Sequence, residues 1–368
     1  MSALFSPITL SGLTLENRIV VSPMCQYSAD DGSANDWHLA HLGTLSAGGA
    51  GLLVVEATAV SREGRITHGD LGLYGDANEK ALERVVAFCR AHGTAKLGIQ
   101  ISHAGRKASA QRPWEGGRAL ADDAGSWETI APSALAFGDN WHVPRAMDEA
   151  DMARVAGAHA ETARRAARLG FDLLEIHAAH GYLLHQFLSP VSNTRTDAYG
   201  GSLENRMRFP LEVVRAVRAA WPKERPLGVR ITGHDWVEGG IDTGEAVAFA
   251  ARLKTEGVDF VCVTSGAISA SAIPTTGPGY QVGFAEEVRR QTGLPTRAVG
   301  LIVTPEQAEQ VVAEGKADMV ALARAFLDNP HWGWTAARAL GADIKRPVQY
   351  QRSGDAVWPG ANYAKQGL

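Results

Sequence analysis

Eight short apolar runs, each followed by a stretch of helical character, govern what this chain can become: Ile19–Ser22, Gly51–Ala57, Leu97–Ser102, Leu173–His177, Leu227–Thr232, Phe260–Thr264, Thr296–Val299 and Met319–Ala323. Runs without polar alternation belong to strands covered on both faces, and strands that alternate with helices build parallel βαβ units. Eight such units predict a (β/α)8 TIM barrel, an α/β fold, with an open doubly wound sheet as the competing arrangement. Helices are expected at Leu39–Ala47, Asn78–His92, Asp148–Leu169, Leu203–Trp221, Thr243–Glu256, Gly283–Thr292, Thr304–Glu314 and Pro330–Leu340. Asp148 and Thr304 read as N-caps, because a side-chain oxygen there accepts first-turn N–H groups. Gly93, Gly170, Gly257 and Gly293 are expected to end helices in the left-handed conformation.

Two segments stand outside the repeat. Gly105–Arg145, rich in Gly, Pro, Trp and Asp, is an extended loop after the third strand, and Gln349–Leu368 is an irregular tail. Loops of that length inside a compact domain tend to be lids or binding segments. No linker interrupts the pattern, so 1–345 reads as a single barrel and 346–368 as a tail near the active site or a subunit interface. With 45% hydrophobic residues the chain buries a core without disulfides or metals. The net charge of −4 and the lack of any Lys/Arg cluster argue against nucleic acid as a partner. Cys25, Cys89 and Cys262 are odd in number and far apart, which suits a reducing compartment. No apolar run approaches the ~20 residues of a membrane span. A cytoplasmic location is the expectation.

Barrel enzymes build their sites at the carboxyl ends of the strands. There this chain places Cys25 and Tyr27 after strand 1, Ala57 after strand 2, and Gln100 and His103 at strand 3. His177, His180 and Tyr182 follow strand 4, Arg230 lies in strand 5, Gly300 follows strand 7, and Ala323 and Arg324 follow strand 8. Two imidazoles and a phenol within six residues are donors suited to holding and protonating an oxyanion. Plain packing is the alternative. A zinc site wants three or four ligands, and the further Cys or carboxylate is missing, so no metal is expected. Arg230 in an apolar strand requires an anion, either a cofactor or a buried carboxylate. Gly300 and Ala323-Arg324 occupy the positions where barrels bind phosphate. Strand 6 carries no Lys for a Schiff base, and no GxSxG elbow or P-loop is present. Gly48–Gly51 precedes a strand, so it reads as a turn and not as a dinucleotide fingerprint.

Nearly the whole chain resembles the Old Yellow Enzyme family, in its bacterial thermophilic-like and xenobiotic reductase branch. The resemblance is carried by Asn17 to Tyr27 (NRIVVSPMCQY), Glu56 to Val60 (EATAV), His103 to Lys107 (HAGRK), Glu175 to Leu183 (EIHAAHGYL), Ser189-Pro190 through Asn193, Arg195 to Asp197, and Tyr199 to Arg206 (YGGSLENR). It implies noncovalent FMN on Ser22, Pro23, Met24, Cys25, Ala57, Gln100, Arg230, Gly300, Ala323 and Arg324. The Gln100 amide would face the flavin pyrimidine edge, Arg230 its N1 and O2, and Cys25 would tune the potential. His177 and His180 would bind the substrate oxygen beside Tyr27, and Tyr182 would supply a proton. The implied activity is reduction of activated alkenes (unsaturated carbonyls, maleimides, nitro compounds) with NADPH, or NADH as an alternative donor. Ala323 departs from the branch, which usually has Gly there. The tail resembles one whose arginine, here Arg352, enters a neighbouring subunit's site in a homodimer or homotetramer, and Trp358 is a further pocket residue. The competing readings are a dienoyl-CoA reductase-like flavoenzyme, disfavoured by three scattered cysteines, and a flavin-free TIM-barrel lyase or isomerase.

Overall fold

A computed structural model describes residues 2–361 and 363. Eight parallel strands close into a ring: β1 (Ile19–Val21), β2 (Leu52–Ala59), β3 (Lys96–Ser102), β4 (Leu173–Ala178), β5 (Leu227–Thr232), β6 (Phe260–Thr264), β7 (Thr296–Ala298) and β8 (Met319–Leu322). Each strand pairs with its neighbours in sequence, and β8 returns to β1 with Val320 opposite Ile19. The open doubly wound sheet is thereby excluded. Almost every strand residue is buried, as runs without polar alternation require.

The helices lie outside the ring: α1 (Asp36–Ser46), α2 (Asp76–His92), α3 (Glu149–Arg168), α4 (Leu183–Leu188), α5 (Leu203–Ala220), α6 (Thr243–Thr255), α7 (Val282–Thr292), α8 (Pro305–Ala313), α9 (Arg324–Asp328) and α10 (Trp332–Leu340). Asp148 accepts the Asp151 N–H at 2.8 Å, and Asp151 accepts the Asp148 N–H in return. Thr304 caps α8 through the Gln307 N–H. Gly170, Gly257 and Gly293 are left-handed, with φ between 63° and 84°. Gly93 is a correction: its φ is −78°, which any residue adopts. Glycine is needed there for space, since an added Cβ would stand 2.6 Å from the Cys89 carbonyl oxygen.

Three elements lie outside the expected pattern. An antiparallel hairpin, Ile8–Leu10 with Leu13–Leu15, packs Leu10, Leu13 and Leu15 against Val20, Leu52, Leu173 and Phe260, closing the amino-terminal end of the barrel. The helices α4 and α9 are one-turn elements directly after β4 and β8. The long loop after β3 is packed: Arg106, Ala108, Ala110, Leu120 and Ile130 are buried, and Arg106 donates to the Ile268 carbonyl at 2.7 Å. With one end plugged, the open end of the barrel is the carboxyl end.

Candidate active site

β4 delivers His177 to the open end, and the chain then turns through His180 (φ 56°) and Gly181 (φ 73°), both left-handed. This folds Tyr182 back over His177. The His177 ring centroid is 5.0 Å from that of His180 and 4.8 Å from that of Tyr182, both edge-on. His177 Nδ1 accepts the Ala179 N–H, so its proton sits on Nε2, 3.2 Å from His180 Nδ1. His180 Nε2 meets the Thr264 hydroxyl at 3.0 Å. Burial, followed by the Arg230 charge, holds both imidazoles well below their ordinary pKa. They are therefore neutral near pH 7, with the His177 proton shared toward His180 Nδ1 and the His180 proton on Nε2 facing Thr264. Burial pushes the Tyr182 phenol well above its ordinary range, so it retains its proton. Lys107 Nζ lies 5.3 Å from the centre of the Tyr182 ring, and burial brings its pKa down to about 8.

Beside these rings opens a cavity of about 610 Å³ lined by Ser22, His180, Arg230, Gly300, Ala323 and Arg324, among others. Arg230 is 7% exposed, its buried Nε has no hydrogen-bond partner, and among the described residues no carboxylate stands within ion-pair distance. The buried-carboxylate explanation of Arg230 is thus removed. What remains is a cation aimed into a cavity, which suits an anionic cofactor. By contrast, the fully buried Arg297 pairs with Glu175, whose other oxygen accepts from Gln100 Nε2 at 2.7 Å. That leaves the Gln100 carbonyl oxygen as the amide's free face. Gly300 has φ 108° and no room for a Cβ, which would approach Gln281 Cβ to 2.9 Å. Ala323 has φ −108°, so its methyl group brings no left-handed strain.

Ser22 lines the cavity, and the segment after β1 runs on from it. Pro23, Met24, Cys25 and Tyr27 are half-buried, and Tyr27 (φ 51°) stacks edge-on against Trp114 at 6.0 Å. Burial, with Asp70 and Glu56 nearby, pushes the Cys25 thiol upward, so it is not a thiolate nucleophile. Next to it β2 carries an irregularity between Val55 and Ala57. The extra residue is Glu56, which accepts the Gln26 N–H at 2.9 Å and lies 3.6 Å from His38 Nε2. Burial raises Glu56 to about 8 and lowers His38 to about 4.

His103 is buried away from the cavity, with its Nδ1 accepting the Gly105 N–H, so it serves the loop. Arg352 and Trp358 do not line the cavity of their own chain: Arg352 is exposed on the turn Val348–Ser353, and Trp358 lies against Arg338 at 5.9 Å. Sequence reasoning passed over Thr264, Glu56, Lys107 and the Ser265–Gln281 pair, joined at 2.7 Å. Thr264 and Glu56 had a usable signal, being polar residues within otherwise apolar strands.

The model of the NADH:flavin oxidoreductase / NADH oxidase family matches residues 3–342. The chain is 46% identical over 353 residues to an NADPH dehydrogenase of Geobacillus thermodenitrificans (strain NG80-2), covering 95% of this chain and 98% of that protein. Among solved structures, morphinone reductase superposes with a TM-score of 0.78 at 29% identity, covering 94% of this chain and 91% of that one. A 2-naphthoyl-CoA reductase gives a TM-score of 0.82 at 25% identity, covering 99% of this chain but 58% of that one.

Proposed function

The chain belongs to the NADH:flavin oxidoreductase / NADH oxidase family, and from that premise we propose that it is an FMN-dependent NADPH:alkene oxidoreductase acting on C=C bonds conjugated to a carbonyl or nitro group. The coarse activity, FMN-dependent oxidation of NADPH, is that of the family and of its NADPH dehydrogenase relatives, which sets aside the flavin-free lyase. Bound FMN supplies the two-electron centre between the nicotinamide and the alkene. The unpaired Arg230 guanidinium with Ser22, Gly300 and Arg324 around one cavity, together with the free Gln100 oxygen, are the residues that would hold it.

The observation that carries the alkene reading is the convergence of two neutral imidazoles and one protonated phenol, with His180 of this group lining that cavity. His177 and His180 hold the substrate's carbonyl or nitro oxygen by hydrogen bonds, which strengthen as enolate charge develops on it. Tyr182 gives its hydroxyl proton to the α-carbon. Lys107 and Arg230 face the phenolate left behind. Tyr27, held edge-on by Trp114, stands beside the substrate on the β1 side in this reading. Arg352, exposed and outside its own cavity, completes a neighbouring subunit's site in a homodimer or homotetramer.

The test separates the two half-reactions. In Tyr182→Phe, anaerobic bleaching by NADPH keeps the wild-type rate, whereas reoxidation by enones slows by about 10²–10⁴-fold, the usual loss for one general acid. Equal reoxidation rates across enones, maleimides and nitroalkenes refute the assignment.

A further inference from the structure

The turn between β4 and α4 is left-handed at two successive residues, and at a non-glycine residue such as His180 this costs about 1–2 kcal/mol. Gly181 is obligatory, because a Cβ would collide with the Ala267 carbonyl. The turn carries His180 on one side and Tyr182 on the other. It does not hold itself: the two peptide groups that flank the Gly181 Cα are each gripped by a buried side chain from the helix that follows. His185 Nδ1 accepts the Gly181 N–H at 2.8 Å, and Gln186 Nε2 donates to the Gly181 carbonyl at 2.6 Å. Gln186 also donates to the Ala104 carbonyl and accepts the Arg106 N–H, which ties the turn to the loop after β3.

His185 accepts from Gly181 only while its proton is on Nε2. That tautomer is set from behind by Asp235, whose Oδ1 lies 2.8 Å from His185 Nε2. The second Asp235 oxygen accepts the Ser189 hydroxyl at 2.6 Å and the Ile241 N–H at 2.8 Å. Every neighbour of this carboxylate is therefore a donor. His185, Asp235, Gln186 and Ser189 are all fully buried, so the group contacts neither substrate nor solvent.

We propose that Asp235, His185 and Gln186 are positioning residues for the alkene half-reaction: they fix the peptide groups on both sides of Gly181, and through them the distance and direction of His180 and Tyr182. The inference rests on the reading that His180 and Tyr182 act on the substrate. Asp235→Asn changes no volume but presents an amide where only acceptors are tolerated. With its oxygen toward Ile241, the NH₂ faces His185 Nε2, the imidazole proton moves to Nδ1, and two N–H groups meet at Gly181. Turned the other way, the NH₂ meets the Ile241 N–H. Gln186→Met removes the grip on the Gly181 carbonyl at nearly constant volume and serves as the second variant should Asp235→Asn not fold.

The assay is titration of the FMN-loaded enzymes with para-substituted phenols, followed by the long-wavelength charge-transfer band, together with stopped-flow reoxidation by an enone. Either variant should keep full FMN content and wild-type bleaching by NADPH, bind phenols about 10- to 100-fold more weakly, show a weakened band, and reoxidise at least tenfold more slowly. A folded variant with wild-type phenol affinity, band and reoxidation overturns the clamp while leaving the functional reading intact. A wild-type enzyme with no phenol band overturns that reading and the clamp with it.

Discussion

Replacing Arg230 with methionine, which keeps an unbranched aliphatic stem and removes the guanidinium and its charge, moves two measurable quantities in opposite directions. Among the protein's own atoms the guanidinium is 7% exposed with Nε unpartnered. A buried polar group left without partners costs about 1–3 kcal/mol, the lower part applying because the cavity admits water. At an unfolding entropy of about 2.1 cal/mol/K per residue, 368 residues make each kcal/mol worth roughly 1.3 °C. The FMN-free variant should therefore melt about 1–3 °C above FMN-free wild type. With FMN present the sign reverses. Losing hydrogen bonds from a charged donor costs about 1.5–3 kcal/mol, a factor of roughly 10 to 150 in Kd. Calorimetry of both apoproteins and fluorescence titration with FMN give the two numbers. An apoprotein variant that melts lower, together with an FMN Kd within about threefold of wild type, would refute the argument that Arg230 waits for the cofactor.

Because His177 and His180 are held below their ordinary pKa, they are neutral above it and charge only at lower pH; reoxidation by an enone should be flat from pH 6 to 7.5, and an inflection of either sign near 6.5 would contradict this. Glu56 titrates in the fold near 8, above its ordinary value. Its protonation therefore stabilises the fold fully below about 4.5, and that contribution is lost as pH rises through about 8. Wild-type Tm should fall more between pH 6 and pH 9 than that of Glu56→Gln, and parallel curves would count against a buried neutral acid. Mixing Arg352→Ala with Tyr182→Phe subunits should restore alkene reduction if tails are shared between subunits, since half the mixed sites then carry neither lesion. Activity equal to the sum of the two variants, with exchange confirmed, rejects sharing.

The barrel was legible because each strand is apolar on both faces, which produces runs that a period of 3.6 cannot mimic. Helix starts were legible where a cap was polar and local, as at Asp148 and Thr304. At α1 the start lies at Asp36 and not Leu39, because Asn35 caps a first turn whose exposed Trp37 and buried His38 invert the expected pattern. The hairpin and the one-turn helices α4 and α9 are shorter than any periodicity can declare. In the site, residues that point into the cavity were readable from their strand-end positions. The groups behind them were not. His185 and Asp235 are 50 residues apart in sequence and meet only because β4 and β5 are neighbours in the ring. Gly93 shows the opposite error, a correct residue assigned the wrong reason, since crowding leaves the same letter as positive φ.

The pairing of β8 with β1 also sets the order in which this molecule can be made. Val320 lies opposite Ile19, and the carboxylate of Glu309 receives the Ser2 hydroxyl and the Ala3 and Leu4 N–H groups. During synthesis the first strand therefore has an unsatisfied edge until some 300 further residues have emerged, roughly 15–60 s at ordinary elongation rates. Throughout that interval the nascent chain exposes two open sheet edges and the apolar inner faces between them, which are the surfaces that attract other unfinished chains. Yield in a recombinant host should thus respond to slower initiation or added chaperone more than to any substitution in the finished barrel, and a circular permutant opened between α8 and β8 would only move the late-closing seam from β8–β1 to β7–β8.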